Sequence, residues 1–203
     1  LTHFKSFLSS PYFMRVLSNT INISVKSLLF GFPAPIILAL LINELNNKKF
    51  VRVAQTITYL PHFVSLVVVC GMIKNFTMDT GFITRIMVFL SGGHREATTL
   101  LNDPKYFVPI YIISDIWQGV GWGSIIYLSA LSGIDQELYE AAEIDGAGRI
   151  RQTIHVTIPG ILPMVVIMLI LRMGSLLNVG YEKINHNGVS YLLCNYSVAE
   201  LFK

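Results

Sequence analysis

Four stretches of the chain are long and almost free of charge. Residues 27–43 carry no charged side chain, and extending the stretch back to Ile21 adds only Lys26. Residues 53–73 form a run of 21 without a charge. Residues 107–131 contain one charge, Asp115, and residues 161–180 contain one, Arg172. A helix that crosses a bilayer needs about 20 mostly apolar residues. The pattern therefore predicts four membrane spans, over 21–43, 53–73, 107–131 and 161–180. Buried helices of a large soluble core are the competing reading. They fail on coverage, because four such runs in 203 residues leave too little polar chain to wrap them.

Composition agrees. The chain is 53% hydrophobic and 13% charged, where a soluble domain carries about 25% charge. The net charge of +3 is too small a bias for a nucleic-acid partner, which needs a basic stripe. Disorder is excluded by the high hydrophobicity. A disulfide scaffold is excluded because two cysteines, Cys70 and Cys194, cannot staple a chain of this size. Pro33, Pro35, Pro61, Pro109 and Pro163 fall in or near the spans. Such prolines are tolerated in a membrane bundle, where neighbouring groups satisfy the freed carbonyls. The run Gly119-Val120-Gly121-Trp122-Gly123 predicts close helix contact. It is no nucleotide fingerprint, lacking the third glycine at the required spacing and a preceding strand.

Four spans set the loops on alternating faces. The segment 44–52 concentrates Lys48, Lys49 and Arg52, whereas Arg85, Arg95 and Lys105 are spread over 76–106. Density of positive charge assigns 44–52, and with it 132–160, to the cytoplasm. The outer segment holds turn signals at Asp79-Thr80-Gly81, Ser91-Gly92-Gly93 and Asn102-Asp103-Pro104, with a short interfacial helix expected over 81–90. His94 reads as a loop histidine rather than a metal ligand, since no partner has ligand spacing.

The segment 132–163 is the most informative. Asp135 is placed to cap a helix over 136–144, and Asp145-Gly146 to end it, with glycine supplying positive φ. A second short helix is expected over 147–156, ended by Pro159 and Pro163. The physical reading is a polar helical hairpin at the cytoplasmic surface. Ala141 and Ala142 give it a small face, Leu138 and Ile144 an apolar edge, and Glu140 and Glu143 charge. Such a face suits a groove on a partner; an ordinary connecting loop is the alternative that pattern leaves open.

Glu140-Ala141-Ala142, then Asp145-Gly146-Ala147, then Ile158-Pro159 and Pro163 resemble the EAA signature of ABC importer permeases. Thr153 and Ile154 stand where the family often has an aromatic. Residues 30–45, 58–65 and 174–184 are similar to the sugar and oligosaccharide branch. The resemblance implies an all-α polytopic bundle, with a permease domain over 1–184 and a divergent or truncated segment over 185–203. Members of the branch have six spans and four are visible, so a fragment or shortened member is expected.

The resemblance further implies an ABC importer permease for sugars or oligosaccharides, in a cell membrane. Its implied partners are cytoplasmic ATPase subunits, a second permease, an extracytoplasmic solute-binding protein and lipid, with no nucleic acid. The chain has no G-x-x-x-x-G-K-[ST] motif. ATP and Mg are expected in the partner ATPase, with no cofactor and no metal on this chain and no enzymatic activity of its own. Glu140, Ala141, Ala142, Asp145, Gly146 and Pro159 are the implied ATPase-coupling residues. Polar and aromatic side chains inside spans mark a candidate substrate path: Tyr59, His62, Asp115, Trp117, Gln118 and Trp122. Helix packing or an interfacial aromatic belt is the competing role for these, and Asp115 has Arg172 as a candidate ion partner. A peptide, amino-acid or phosphonate permease would carry a similar loop. A secondary carrier would show paired interrupted helices, and no such pairing is present. An intramembrane protease lacks a second intramembrane aspartate beside Asp115.

Overall fold

The computed structural model describes residues 13–92, 98–102 and 104–176. His94, Cys194 and the segments 177–184 and 185–203 lie outside them. The described chain is helical, with no strand. We label the helices α1 (Phe13–Gly31), α2 (Pro33–Asn43), α3 (Lys48–Tyr59), α4 (Leu66–Thr77), α5 (Phe82–Leu90), α6 (Pro104–Ser132), α7 (Gln136–Ile144), α8 (Arg149–Gln152) and α9 (Ile158–Gly174). Short 3₁₀ turns cover Leu60–Phe63 and Leu100–Asn102. A π-turn, Thr153–Thr157, joins α8 to α9.

Among the described residues, three helical stretches are long and apolar enough to cross a membrane: Leu17–Asn43, Leu66–Leu90 and Arg149–Gly174. The first matches the expected span over 21–43. The third contains the expected start at 161 but begins far earlier. The run 53–73 is not one helix. Pro61 has no N–H to donate, so α3 stops at Tyr59, a 3₁₀ turn follows, and α4 starts after Ser65. The expected span over 107–131 lies within α6, whose 29 residues are ample in length. Asp115, Gln118 and the glycine run make it more polar than the other three.

The chain divides into two compact units. One contains, among described residues, 13–27 and 64–115. Its buried residues include Val69 and Cys70 on α4, Leu100 and Leu101 on the 3₁₀ turn, and Phe107, Val108 and Ile112 on α6. The turn between α4 and α5 is closed by polar bonds. Thr84 Oγ1 donates to the carbonyl of Thr77 at 3.2 Å, and both threonines are buried. Gly81 is required there, because a Cβ would collide with the backbone of Phe76. The expected helix over 81–90 is α5.

The other unit contains Leu28–Phe63 and Ile116–Leu176. Its core is Ala39 of α2, Tyr127 and Leu131 of α6 and Ile161 of α9. The predicted close contacts of the glycine run occur here. A Cβ on Gly121 would collide with the backbone of Thr58, and one on Gly123 would sit 3.1 Å from the Pro35 ring. Helix α6 therefore crosses α3 main chain to main chain, a geometry that only glycine allows.

Candidate functional site

The hairpin over 132–160 belongs wholly to the second unit. Helix α7 starts as the sequence indicates: Asp135 caps it, its carboxylate accepting from Glu137 N at 3.1 Å. It ends in a Schellman turn. Gly146 N donates to the Glu143 carbonyl at 3.0 Å and Ala147 N to the Ala142 carbonyl at 2.9 Å. Gly146 sits at φ +71°, where a Cβ is disfavoured. The second alanine of the Glu140-Ala141-Ala142 element thus supplies the carbonyl that closes the turn, and Ala142 and Ala147 are the small pair that accompanies such a motif.

The second arm differs from expectation. Helix α8 does not end at Pro159; the π-turn carries it into α9, giving a helix from Arg149 to Gly174. Pro159 lies in the first turn of α9 and Pro163 inside it. Proline cannot donate to the carbonyl four residues back. At Pro159 the helix passes through the π-turn, where Ile158 N donates to the Thr153 carbonyl five residues back, and the side chains of the turn bond carbonyls of the preceding turn. Thr153 Oγ1 donates to the Arg149 carbonyl at 2.9 Å and Thr157 Oγ1 to the Gln152 carbonyl at 3.4 Å. His155 Nδ1 lies 3.1 Å from the Arg151 carbonyl.

Two further bonds attach the hairpin to its surroundings. Tyr139 Oη and Thr157 Oγ1 are 3.0 Å apart. Thr153 Oγ1 also lies 3.3 Å from a carboxylate oxygen of Glu44, just past α2. Thr153 occupies the position where an aromatic is expected by resemblance. These four residues line a polar cavity of ≈ 380 Å³ with Asn43, Glu143, Arg149 and Gln152 among its other walls. On the outer side of the hairpin, Glu140, Ala141 and Asp145 are exposed, and so are Ile144 (88%) and Ile150 (77%). These two isoleucines, one on each side of the turn, are the most exposed apolar side chains of the hairpin.

The candidate path residues separate into groups. Tyr59, His62 and Trp122 come together where α3 runs into its 3₁₀ turn beside α6. The His62 and Trp122 rings stack at 4.6 Å, nearly parallel. Phe63 meets Trp122 edge-on at 5.9 Å. The Tyr59 hydroxyl is hydrogen-bonded to Ser124, and Ser124 donates to the Gly121 carbonyl at 2.7 Å. Gln118 is half-buried one turn before Trp122. Trp117 is five residues from Trp122, about 140° around the helix, and so lies on a different side of α6. Asp115 belongs to the other unit, where it is half-buried. Phe63, Ser124, Tyr139, Thr157, Glu44 and Thr153 are not singled out as site residues by the sequence. Their partners are mostly far away along the chain, Thr153 lying 109 positions from Glu44, so no local spacing points to them.

The capped hairpin is set between α6 and α9, in a chain with three helical stretches long and apolar enough to cross a membrane among its described residues. Residues 31–179 match the family of binding-protein-dependent transport system inner membrane components, and the chain belongs to that family. The family is one of inner membrane components of transport systems, and the chain is accordingly a multi-pass component of a cell membrane. Over 204 aligned residues it is 44% identical to Protein LplB of Bacillus subtilis (strain 168), covering 98% of this chain and 61% of that protein. It is 41% identical over 206 residues to the polygalacturonan/rhamnogalacturonan transport system permease protein YteP of the same organism, covering 100% and 61%. The chain thus spans about three-fifths of the length of these curated relatives. Among solved structures, a bacterial ABC transporter involved in import of the acidic polysaccharide alginate contains a chain with TM-score 0.85 and 39% identity, covering 99% of this chain and 71% of that one. A second, of the bacterial alginate ABC transporter in complex with alginate pentasaccharide-bound periplasmic protein, gives TM-score 0.83 and 36% identity, covering 98% and 76%.

Proposed function

We propose that the chain forms part of the permease of an ABC importer for oligosaccharides, and that the α7–α8 hairpin docks on a cytoplasmic ATPase. The observation that carries the docking role is the exposed Ile144 and Ile150 pair beside the Schellman turn. Burying two isoleucine side chains in a partner's groove stabilises association by about 1.5–3 kcal/mol each. Glu140, Asp145 and the small Ala141 face frame that tip, while Gly146 and Pro159 set the shape of the arms. The partner holds ATP and Mg and hydrolyses the ATP, and this chain supplies no catalytic group. A second permease completes the translocation path, and an extracytoplasmic solute-binding protein delivers substrate. The sugar class is supported by the relatives, among them a polygalacturonan/rhamnogalacturonan permease and an alginate importer. It is also supported by the Tyr59–His62–Trp122 cluster, whose ring faces suit C–H surfaces and whose hydroxyl and imidazole suit sugar hydroxyls.

The test uses the full-length protein co-expressed with its ATPase and second permease. Ile144→Asp together with Ile150→Asp is expected to abolish co-purification of the ATPase while the two permeases stay together. Retention of the ATPase at wild-type yield would refute docking through this tip. Uptake of alginate pentasaccharide and oligogalacturonate into proteoliposomes tests the substrate class; import of a peptide or amino acid instead would assign another class.

A further inference from the structure

Helix α7 buries none of its side chains. It is flanked by Gly133 on one side and by Gly146 and Gly148 on the other. A helix with no fully buried residue, set between glycine joints, has little packing to fix its angle. Pushed by a partner, it would swing and absorb the displacement. Two contacts prevent this. Ahead of the helix, Ile134 packs against Gly160 so tightly that a Cβ there would sit 2.8 Å from its Cδ1. Along α7 itself, half-buried Tyr139 reaches the buried Thr157 at 3.0 Å. Either hydroxyl can donate in this bond, and Thr157 Oγ1 also lies 3.4 Å from the Gln152 carbonyl. Two anchor points define a direction, where one would leave a pivot.

We propose that Tyr139 and Thr157 are positioning residues that lock α7 to the π-turn, so that α7 and α9 move as one body when the ATPase moves the hairpin. The proposal rests on the hairpin docking on that ATPase. Ile161, one turn on from Thr157, belongs to the buried core, and this makes α9 the firm side of the bond. The Glu44 contact is different in kind. Thr153 has one proton for two acceptors, the Arg149 carbonyl at 2.9 Å and Glu44 at 3.3 Å. It can release Glu44 and remain satisfied within its own helix. The hairpin is thereby locked to α9 and only latched to the end of α2, with the polar cavity lying between.

The experiment uses the full-length protein in complex with its ATPase and second permease. Spin labels are placed at Glu137→Cys on α7 and Val166→Cys on α9, both exposed positions, and distances are measured without nucleotide and with ATP and vanadate. In the otherwise unchanged protein one α7–α9 distance is expected, the same in both states. Tyr139→Phe and Thr157→Val should retain the ATPase at wild-type yield. They should raise the displaced α7 population about fivefold, the factor carried by one typical hydrogen bond, and the distance should then respond to nucleotide. Thr157→Ser, which keeps the hydroxyl, should restore the single distance. Wild-type distributions in both Tyr139→Phe and Thr157→Val would overturn the lock and leave docking intact. Failure of the unmutated complex to hold the ATPase would overturn docking, and the lock with it.

Discussion

Replacing Gly146 measures how firmly the hairpin turn is held. Its φ of +71° is a conformation that costs an L-residue about 1–2 kcal/mol. No atom lies within 4 Å of a built Cβ, so sterics against neighbours add nothing and the cost is that of the backbone alone. Opposing it are the two bonds that close the turn, Gly146 N to Glu143 and Ala147 N to Ala142. Each contributes about 0.5–1.5 kcal/mol. The two sides nearly balance for alanine. Asparagine, which tolerates the left-handed region, should leave the turn intact; valine, stiff at Cβ, should open it. Gly146→Asp adds a carboxylate beside Asp145 at the negative end of α7, a further cost of about 0.3–1 kcal/mol. Hydrogen exchange of the peptide spanning 141–150, in the full-length complex, reads the opening. Each 1.4 kcal/mol is about tenfold in the open population. The expected order of protection is Gly, Asn, Ala, Asp, then Val, with coupling of ATP hydrolysis to uptake falling in the same order. A turn as protected in Gly146→Val as in the wild type would refute the reasoning.

Gly121→Ala should destabilise the protein by about 3 kcal/mol or more, since the methyl meets backbone that cannot rotate away; a thermal melt of the full-length protein in detergent checks this, and an unchanged melting temperature contradicts it. Trp122→Ala removes the ring stacked on His62 and should cost about 0.5–1.5 kcal/mol of local packing, while weakening oligosaccharide uptake; the ratio of the two losses is read from melts and transport assays on one preparation. Asp135→Ala should remove about 1 kcal/mol of α7 stability, seen as faster exchange over 136–140, and Asp135→Ser should recover most of it.

The cap at Asp135 and the glycine stop at Gly146 are legible in the sequence because both are set locally and depend on residue type. The glycine run of α6 is legible for a similar reason: missing side chains advertise close approach, although not the partner, Thr58. The break inside 53–73 escapes a count of charges, which reports polarity and says nothing of where the backbone loses its donors; Pro61 is the signal. The extent of the second arm escapes for the opposite reason. Pro159 announces a stop, yet a π-turn runs straight into the helix that contains it. Side-chain type groups Trp117 with Trp122, while helical geometry puts them on different sides. Pairs such as Tyr139 and Thr157, 18 positions apart, are created only when the arms fold back.

Because the π-turn continues α8 into α9, one unbroken helix runs from Arg149 to Gly174. At 1.5 Å per residue its 26 residues measure about 39 Å. Rotated by about 5° at the hairpin end, a rod of that length sweeps its far tip through ~3 Å, comparable with the diameter of a water molecule. Modest strokes at the hairpin are thus magnified with distance along this helix.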